Sequence, residues 1–280
     1  MIAVNITMAD SNWEFSIEDL NLSGNLDFLA YWGSTDSSQV ISKVHMPQNQ
    51  NMTILSGKYN LPNGGFIKLQ YGSTGTNIKG RGSDSDWTTY GSDALTCYGD
   101  MDFYGYQRLY SADLGTTINE TDAQKITVFL GWGKQESTNE FKNVVYHLYY
   151  GKDIGNTAQD DNGTSLKAYF NGARLGMSDD ITITPNFSFD LGIIFSIIKA
   201  NVYGHWANYD PAWDWSSNGT GYGYTADAGL KYSFNDQLAV RLGYHYNYIK
   251  IENCSLSDSD QATDYKYNLS GFNFGLSYRF

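Results

Sequence analysis

The chain has no apolar run long enough for a membrane-crossing helix, which needs about 18 or more such residues. Its richest stretch, Leu191 to Ile198, is broken by Gly192 and Ser196. Proline is scarce, with 4 residues, and so is cysteine, with 2. Cys97 and Cys254 are too few for a disulfide-dense scaffold or a four-thiolate metal site, and they allow one bridge at most. Basic residues are outnumbered, 18 against 30 acidic ones, giving a net charge of −12. That balance removes the attraction to phosphates that dominates nucleic-acid affinity and argues against a nucleic-acid partner. The opening Met1-Ile2-Ala3-Val4-Asn5 lacks the basic and apolar regions of a secretion signal. Either the protein is cytosolic, or its signal has been removed and a start Met added.

Aromatic residues and glycine are abundant: 23 Tyr, 14 Phe and 7 Trp beside 29 Gly. Disordered chains are poor in aromatics, so this is the composition of a folded β protein. Alternation supports that reading. Phe272, Phe274, Leu276, Tyr278 and Phe280 fall on one face of the last segment, with Gly271, Asn273, Gly275, Ser277 and Arg279 on the other. Ala226 to Phe234, Leu238 to Tyr246, Phe187 to Ile197 and Ile126 to Trp132 repeat the pattern.

A soluble β-sandwich or barrel also alternates. Three features favour a membrane barrel instead. Tyrosines cluster toward strand ends, as in Tyr244 to Tyr248 and Tyr146 to Tyr150, where a lipid–water boundary favours amphipathic rings. The opposite faces carry Gly, Asn, Asp, Arg and Lys, which a watery lumen hosts more readily than a solid core. Connections alternate between short turns (61–65, 178–180, 235–237) and long polar segments (80–99, 151–165, 206–220, 253–265). The expectation is a single domain, residues 1–280: an all-β, ten-stranded antiparallel transmembrane β-barrel in a bacterial outer membrane with the long loops extracellular.

The first long segment carries Asp84-Ser85-Asp86-Trp87. Two carboxylates two residues apart on an extended chain point the same way, so each raises the cost of ionising the other and one holds a proton near neutrality. Such a pair activates a water; the alternative is a solvated turn or a weak cation site. The fourth long segment holds Trp206, Tyr209, Trp213 and Trp215, which suit peptide, protein or sugar contact or simply pack on one another. Asp84, Asp86, Asp93, Asp153, Asp160, Asp161, Asp210, Asp214, Asp258, Asp260 and Asp264 make the loop end acidic, a surface that attracts basic peptides or divalent ions. No histidine lies in a metal-binding motif. His245 is expected to point inward with Arg241 and Asn247. A narrow pore is a weaker alternative, since ten strands leave little open lumen.

Asp84-Ser85-Asp86-Trp87 resembles the aspartate-x-aspartate-tryptophan element of the omptins, ten-stranded outer-membrane proteases. Leu130-Gly131-Trp132-Gly133-Lys134-Gln135-Glu136-Ser137, Phe189-Asp190-Leu191-Gly192, Tyr209-Asp210-Pro211 and Gly275-Leu276-Ser277-Tyr278-Arg279-Phe280 are similar to further stretches of that family. The resemblance implies an endopeptidase in which Asp84 and Asp86 face an aspartate-x-histidine pair across a cleft and activate water. Anchored on Tyr209-Asp210-Pro211, that second pair falls on Trp206 and Asn208, neither of which is a base; a shifted register offers His205. The resemblance also puts Asp27 close to where a basic substrate side chain would be held, and it implies lipopolysaccharide as an activator, with no other cofactor. Two readings follow. One is an omptin-like barrel with a degenerate proteolytic site, binding a basic peptide or a host surface protein through Asp27, Asp210, Trp206, Trp213 and Trp215. The other is a working endopeptidase using Asp84, Asp86 and His205.

Overall fold

A computed structural model of the chain describes residues 12–33, 39–75, 78–87, 94–158, 163–207, 212–257 and 261–280. Its strands are β1 (Trp13–Tyr31), β2 (Val40–Asn60), β3 (Gly65–Ser73), β4 (Ile78–Asp86), β5 (Cys97–Glu120), β6 (Gln124–Tyr149), β7 (Lys152–Ala158), β8 (Ser165–Thr184), β9 (Phe187–Trp206), β10 (Trp213–Ser233), β11 (Leu238–Leu256) and β12 (Ala262–Arg279). β2 and β5 each pair with both β3 and β4, so these two pieces form one wall strand. β7 pairs with β6 alone, as a hairpin at the loop end. The remaining neighbours are antiparallel, and β12 pairs back onto β1, closing a ring of ten strands. Closure leaves no unpaired edge within the wall.

Three expected boundaries move. The expected turn at Ser178-Asp179-Asp180 lies inside β8, where Asp180 faces the lumen, and the real turn is at 185–186. The expected loops at 80–99 and 206–220 are strand at both ends, so Asp84 and Asp86 stand on β4 while Trp213 and Trp215 stand on β10. Above the apolar belt the outward face turns polar, and the greasy stripe that marks a strand in sequence fades.

Large apolar side chains cover the outside of the half nearest the short turns. Leu130 is 62% exposed, Ile197 64% and Phe272 68%. Leu55, Leu69, Leu175, Ile193 and Leu242 continue the band around the ring. Toward the loop end the outward positions become Asn21, Ser23 and Asn25 on β1, or Lys199 and Asn201 on β9. A belt this apolar and this exposed fits hydrocarbon rather than water.

Inside, the turn-end half encloses a cavity of about 400 Å³ lined by charges including Glu14, Glu18, Lys58, Asp190, Lys231 and Arg241. Arg241 meets Asp190 at 2.6 Å, His245 meets Asp227 at 2.8 Å and Arg174 meets Asp113 at 3.1 Å. His245 shares that cavity with Arg241 and Asn247, as the sequence led us to expect. Above it the Tyr267 hydroxyl bonds Gln107 at 2.6 Å and Gln50 at 3.2 Å. An apolar core then fills the barrel, with Leu26, Met46, Ile78, Phe103, Phe141 and Tyr265 fully buried.

Candidate functional site

Above that core, at the loop end, a second cavity of about 280 Å³ opens. One wall is the end of β4, whose side chains alternate so that Ile78, Asp84 and Asp86 point inward and Arg81, Ser83 and Ser85 outward. β4 lies across the ring from β9 and β10, which supply Trp206, Trp213 and Trp215 to the opposite wall. Trp213 and Trp206 are direct cross-strand neighbours. Trp215 is 4% exposed and stacks on Phe28, with ring centroids 5.0 Å apart; Trp206 and Trp213 each lie 6.4 Å from it. Its indole fills the space left by Gly204, where an added Cβ would come within 2.1 Å of the ring. A side chain at that position would expel Trp215 from the wall. Phe28, Ser42, Tyr146, Trp32 and Asp100 are also among the lining residues, and among the described residues no Lys, Arg or His lines the cavity.

Burial pushes the Asp84 carboxyl well above the usual carboxylate range, and the neighbouring Asp86 pushes it further, while a hydrogen bond from the Ser85 backbone pulls the other way. Burial also raises Asp86, against a hydrogen bond from Ser42. Oδ1 of Asp84 is buried without a hydrogen-bond partner. Two carboxylates held on one face in little water each resist ionisation more than an exposed acid does. Cys97 stands opposite Asp86 in the β4–β5 register. Burial raises its thiol, opposed by a Tyr150 backbone hydrogen bond and reinforced by Asp86, so the thiol stays protonated and is a poor nucleophile. Both cysteines are free, Cys97 on β5 and Cys254 on β11, and the bridge the sequence permitted does not form. Among the described residues no three His, Cys, Asp or Glu side chains converge as a metal site.

Two expected site residues lie elsewhere. His205 is one position before Trp206, so its side chain takes the opposite face and lies on the outer wall, bonded to Asp214 at 2.6 Å. Asp27 is likewise outward, bonded to His45 at 2.5 Å between β1 and β2. His147 sits outside as well, 3.0 Å from Asp100. With His245 in the turn-end cavity, all four histidines of the chain are placed and none lines the loop-end cavity. Asp210 and Asn208 lie outside the described residues, as do Asp93, Asp160, Asp161, Asp258 and Asp260. Phe28 was readable as the continuation of the inward stripe Leu20, Leu22 and Leu26; Ser42 and Tyr146 carried no such signal.

This site holds an acid pair facing a tryptophan wall. It can accept a hydrogen-bond donor or a positive charge, and indole faces add cation–π attraction. It lacks an imidazole to take a proton from water.

No family model and no curated protein matches the sequence. Among solved structures, the outer membrane protease OmpT from Escherichia coli aligns over 98% of this chain and 99% of its own, with a TM-score of 0.81 at 14% identity. The Pseudomonas putida toluene transporter TodX, at a TM-score of 0.32 and 9% identity, covers 97% of this chain and 91% of its own. The translocator domain of the autotransporter NalP from Neisseria meningitidis reaches 0.36 at 9% identity, over 97% of this chain and 90% of its own. The chain therefore has the omptin type of outer-membrane β-barrel fold, at 14% sequence identity to OmpT.

Proposed function

We propose that this chain is an outer-membrane barrel whose extracellular cup binds a protein or peptide ligand bearing basic side chains, without cutting it. The observation that carries this reading is the composition of the cup: Asp84 and Asp86 face Trp206, Trp213 and Trp215, and every histidine of the chain lies elsewhere. A water between two carboxylates and three indoles has no neutral base to activate it. A basic side chain in the same place meets negative charge and aromatic faces together. Its partners on this reading are outer-membrane lipid around the belt and a basic peptide or host surface protein at the loops.

The second reading, an endopeptidase cleaving beside basic residues, is favoured by the inward acid pair, its carboxyls raised by burial, at the mouth of an OmpT-like barrel. It requires a base from outside the described residues. The two readings separate on incubation of the refolded barrel with a fluorogenic peptide containing paired arginines, with and without lipopolysaccharide. We expect no turnover above that of Asp84→Ala in either condition, and saturable quenching of tryptophan fluorescence by the same peptide. Turnover that depends on Asp84 would establish the endopeptidase instead.

A further inference from the structure

We propose that the chamber at the turn end of the barrel is a binding site for one doubly charged oxyanion, inorganic phosphate or a phosphate monoester, held by the ammonium groups of Lys58 and Lys68 and the hydroxyl of Ser56. The apolar core separates this chamber from the cup, so its occupant is independent of what the cup binds.

Ser56 and Lys58 succeed each other on the inward face of β2, and Phe66, Lys68 and Gln70 do so on β3, so all five side chains line the chamber of about 400 Å³. In the β2–β3 register Lys58 and Lys68 are direct cross-strand partners. Like charges placed directly opposite destabilise a strand pair. A nearby carboxylate would relieve them, yet none of the described residues brings one within 4.0 Å of either ammonium. The acids around them are engaged elsewhere: Asp190 by Arg241, Asp227 by His245, and Glu14 by Arg279 at 3.3 Å. Asp113, the partner of Lys68 on β5, meets Arg174 at 3.1 Å. Glu18 and Asp180 also line the chamber, and neither comes within 4.0 Å of a lysine. Lys231 of β10 adds a third inward ammonium in the same circumstances.

Neighbouring contacts hold these donors in place. Lys58 Nζ lies 4.6 Å from the centroid of the Phe66 ring, a cation–π contact that restrains the ammonium. Gln70 Nε2 donates to Ser56 Oγ at 3.1 Å, while Gln70 Oε1 accepts from the Ser111 hydroxyl at 3.1 Å. Ser56 is thus fixed as an acceptor, and its own O–H donates to none of the described residues. Two ammoniums and a hydroxyl on adjacent strands offer a ligand donors alone. An oxyanion with two charges answers both cations at once, where a monocarboxylate answers one. The Gln50–Gln107–Tyr267 layer lies at the far end of the chamber, and Glu14, Asp180 and Ser277 stand near its mouth, so the ligand enters from the turn end.

The test uses the full chain refolded in a neutral detergent at low ionic strength, where screening is weakest. Its probes are inorganic phosphate, glycerol 3-phosphate and acetate. Titration calorimetry should show saturable binding of a phosphate, one per barrel, with acetate about tenfold weaker or more. Lys68→Met should weaken phosphate binding about tenfold or more, while Lys199→Met, on the outer wall of β9, should leave it unchanged. A second measurement needs no variant and serves should Lys68→Met not refold: phosphate should slow the acetylation of Lys58 and Lys68 by acetic anhydride, read by peptide mass spectrometry, and leave that of Lys199 as it was. Either phosphate source supports the site, and the tighter of the two names its occupant. No saturable phosphate binding, binding unaltered by Lys68→Met, or no protection of the two lysines would overturn the site and leave Lys58 and Lys68 as part of the barrel's internal charge network alone. Acetate binding as tightly as phosphate would overturn the doubly charged ligand.

Discussion

Asp84 shows how a single side chain sets the chemistry of the cup. Its carboxyl is raised in the folded protein by burial first and by Asp86 second. The folded state thus holds a proton more tightly than the unfolded chain. The stability due to that proton is complete below the ordinary carboxylate range and is lost as pH rises through the raised value. Asp84→Asn, neutral at every pH, should therefore stabilise the barrel by about 1–2 kcal/mol at pH 7.5 and by almost nothing at pH 4. Denaturant unfolding in vesicles at the two pH values measures this, and equal effects at both would refute it. The acid pair was legible in the sequence because carboxylates at i and i+2 on an extended chain must share a face. The same rule places His205 and Trp206 on opposite faces. The unbroken inward series Val202, Gly204 and Trp206 gives that parity, and a reading by family register alone misses it.

At the scale of the strand, the outward face divides each long element into a lipid segment and a water segment. Leu242 on β11 lies within the belt, 59% exposed, whereas Asn201 on β9 stands above it. Leu242→Arg should cost about 2–4 kcal/mol for folding into phosphatidylcholine vesicles, and Asn201→Arg close to nothing. Equal costs would show that the band does not face hydrocarbon. This division also explains which boundaries the sequence yielded. β9, β11 and β12 were readable where their stripes run through the belt, as in Phe187 to Ile197 and Phe272 to Phe280. The upper ends of β4 and β10 were read as loops because Arg81, Ser83 and Ser85, or Asp214 and Ser216, point to water and erase the contrast between faces. The β8 turn was misplaced because adjacent aspartates at 179 and 180 resemble a turn, while Asp180 belongs to the charged lumen.

Taken whole, the barrel is stacked in levels: a charged cavity at the turn end, the Gln50–Gln107–Tyr267 layer, a packed apolar core, and the acidic aromatic cup. Ten strands leave room for such filling and little else. Planar-bilayer recordings should accordingly show no stable open-channel steps of porin size; sustained conductance of that kind would mean that the packed middle does not hold in a membrane. The fold was visible in the sequence because closure, alternation and loop asymmetry all pointed to one architecture. Inward residues such as Arg241, His245 and Asn247 were visible too, but their pairings were not, since a partner lies on a distant strand, as Gln107 does for Tyr267, 160 positions away. The packed apolar layer above that glutamine–tyrosine septum has a kinetic meaning for the cup. A chamber with a filled floor has one door, so a ligand of the proposed kind would leave the way it came, and its residence would be set by the grip of the walls rather than by passage along the barrel axis.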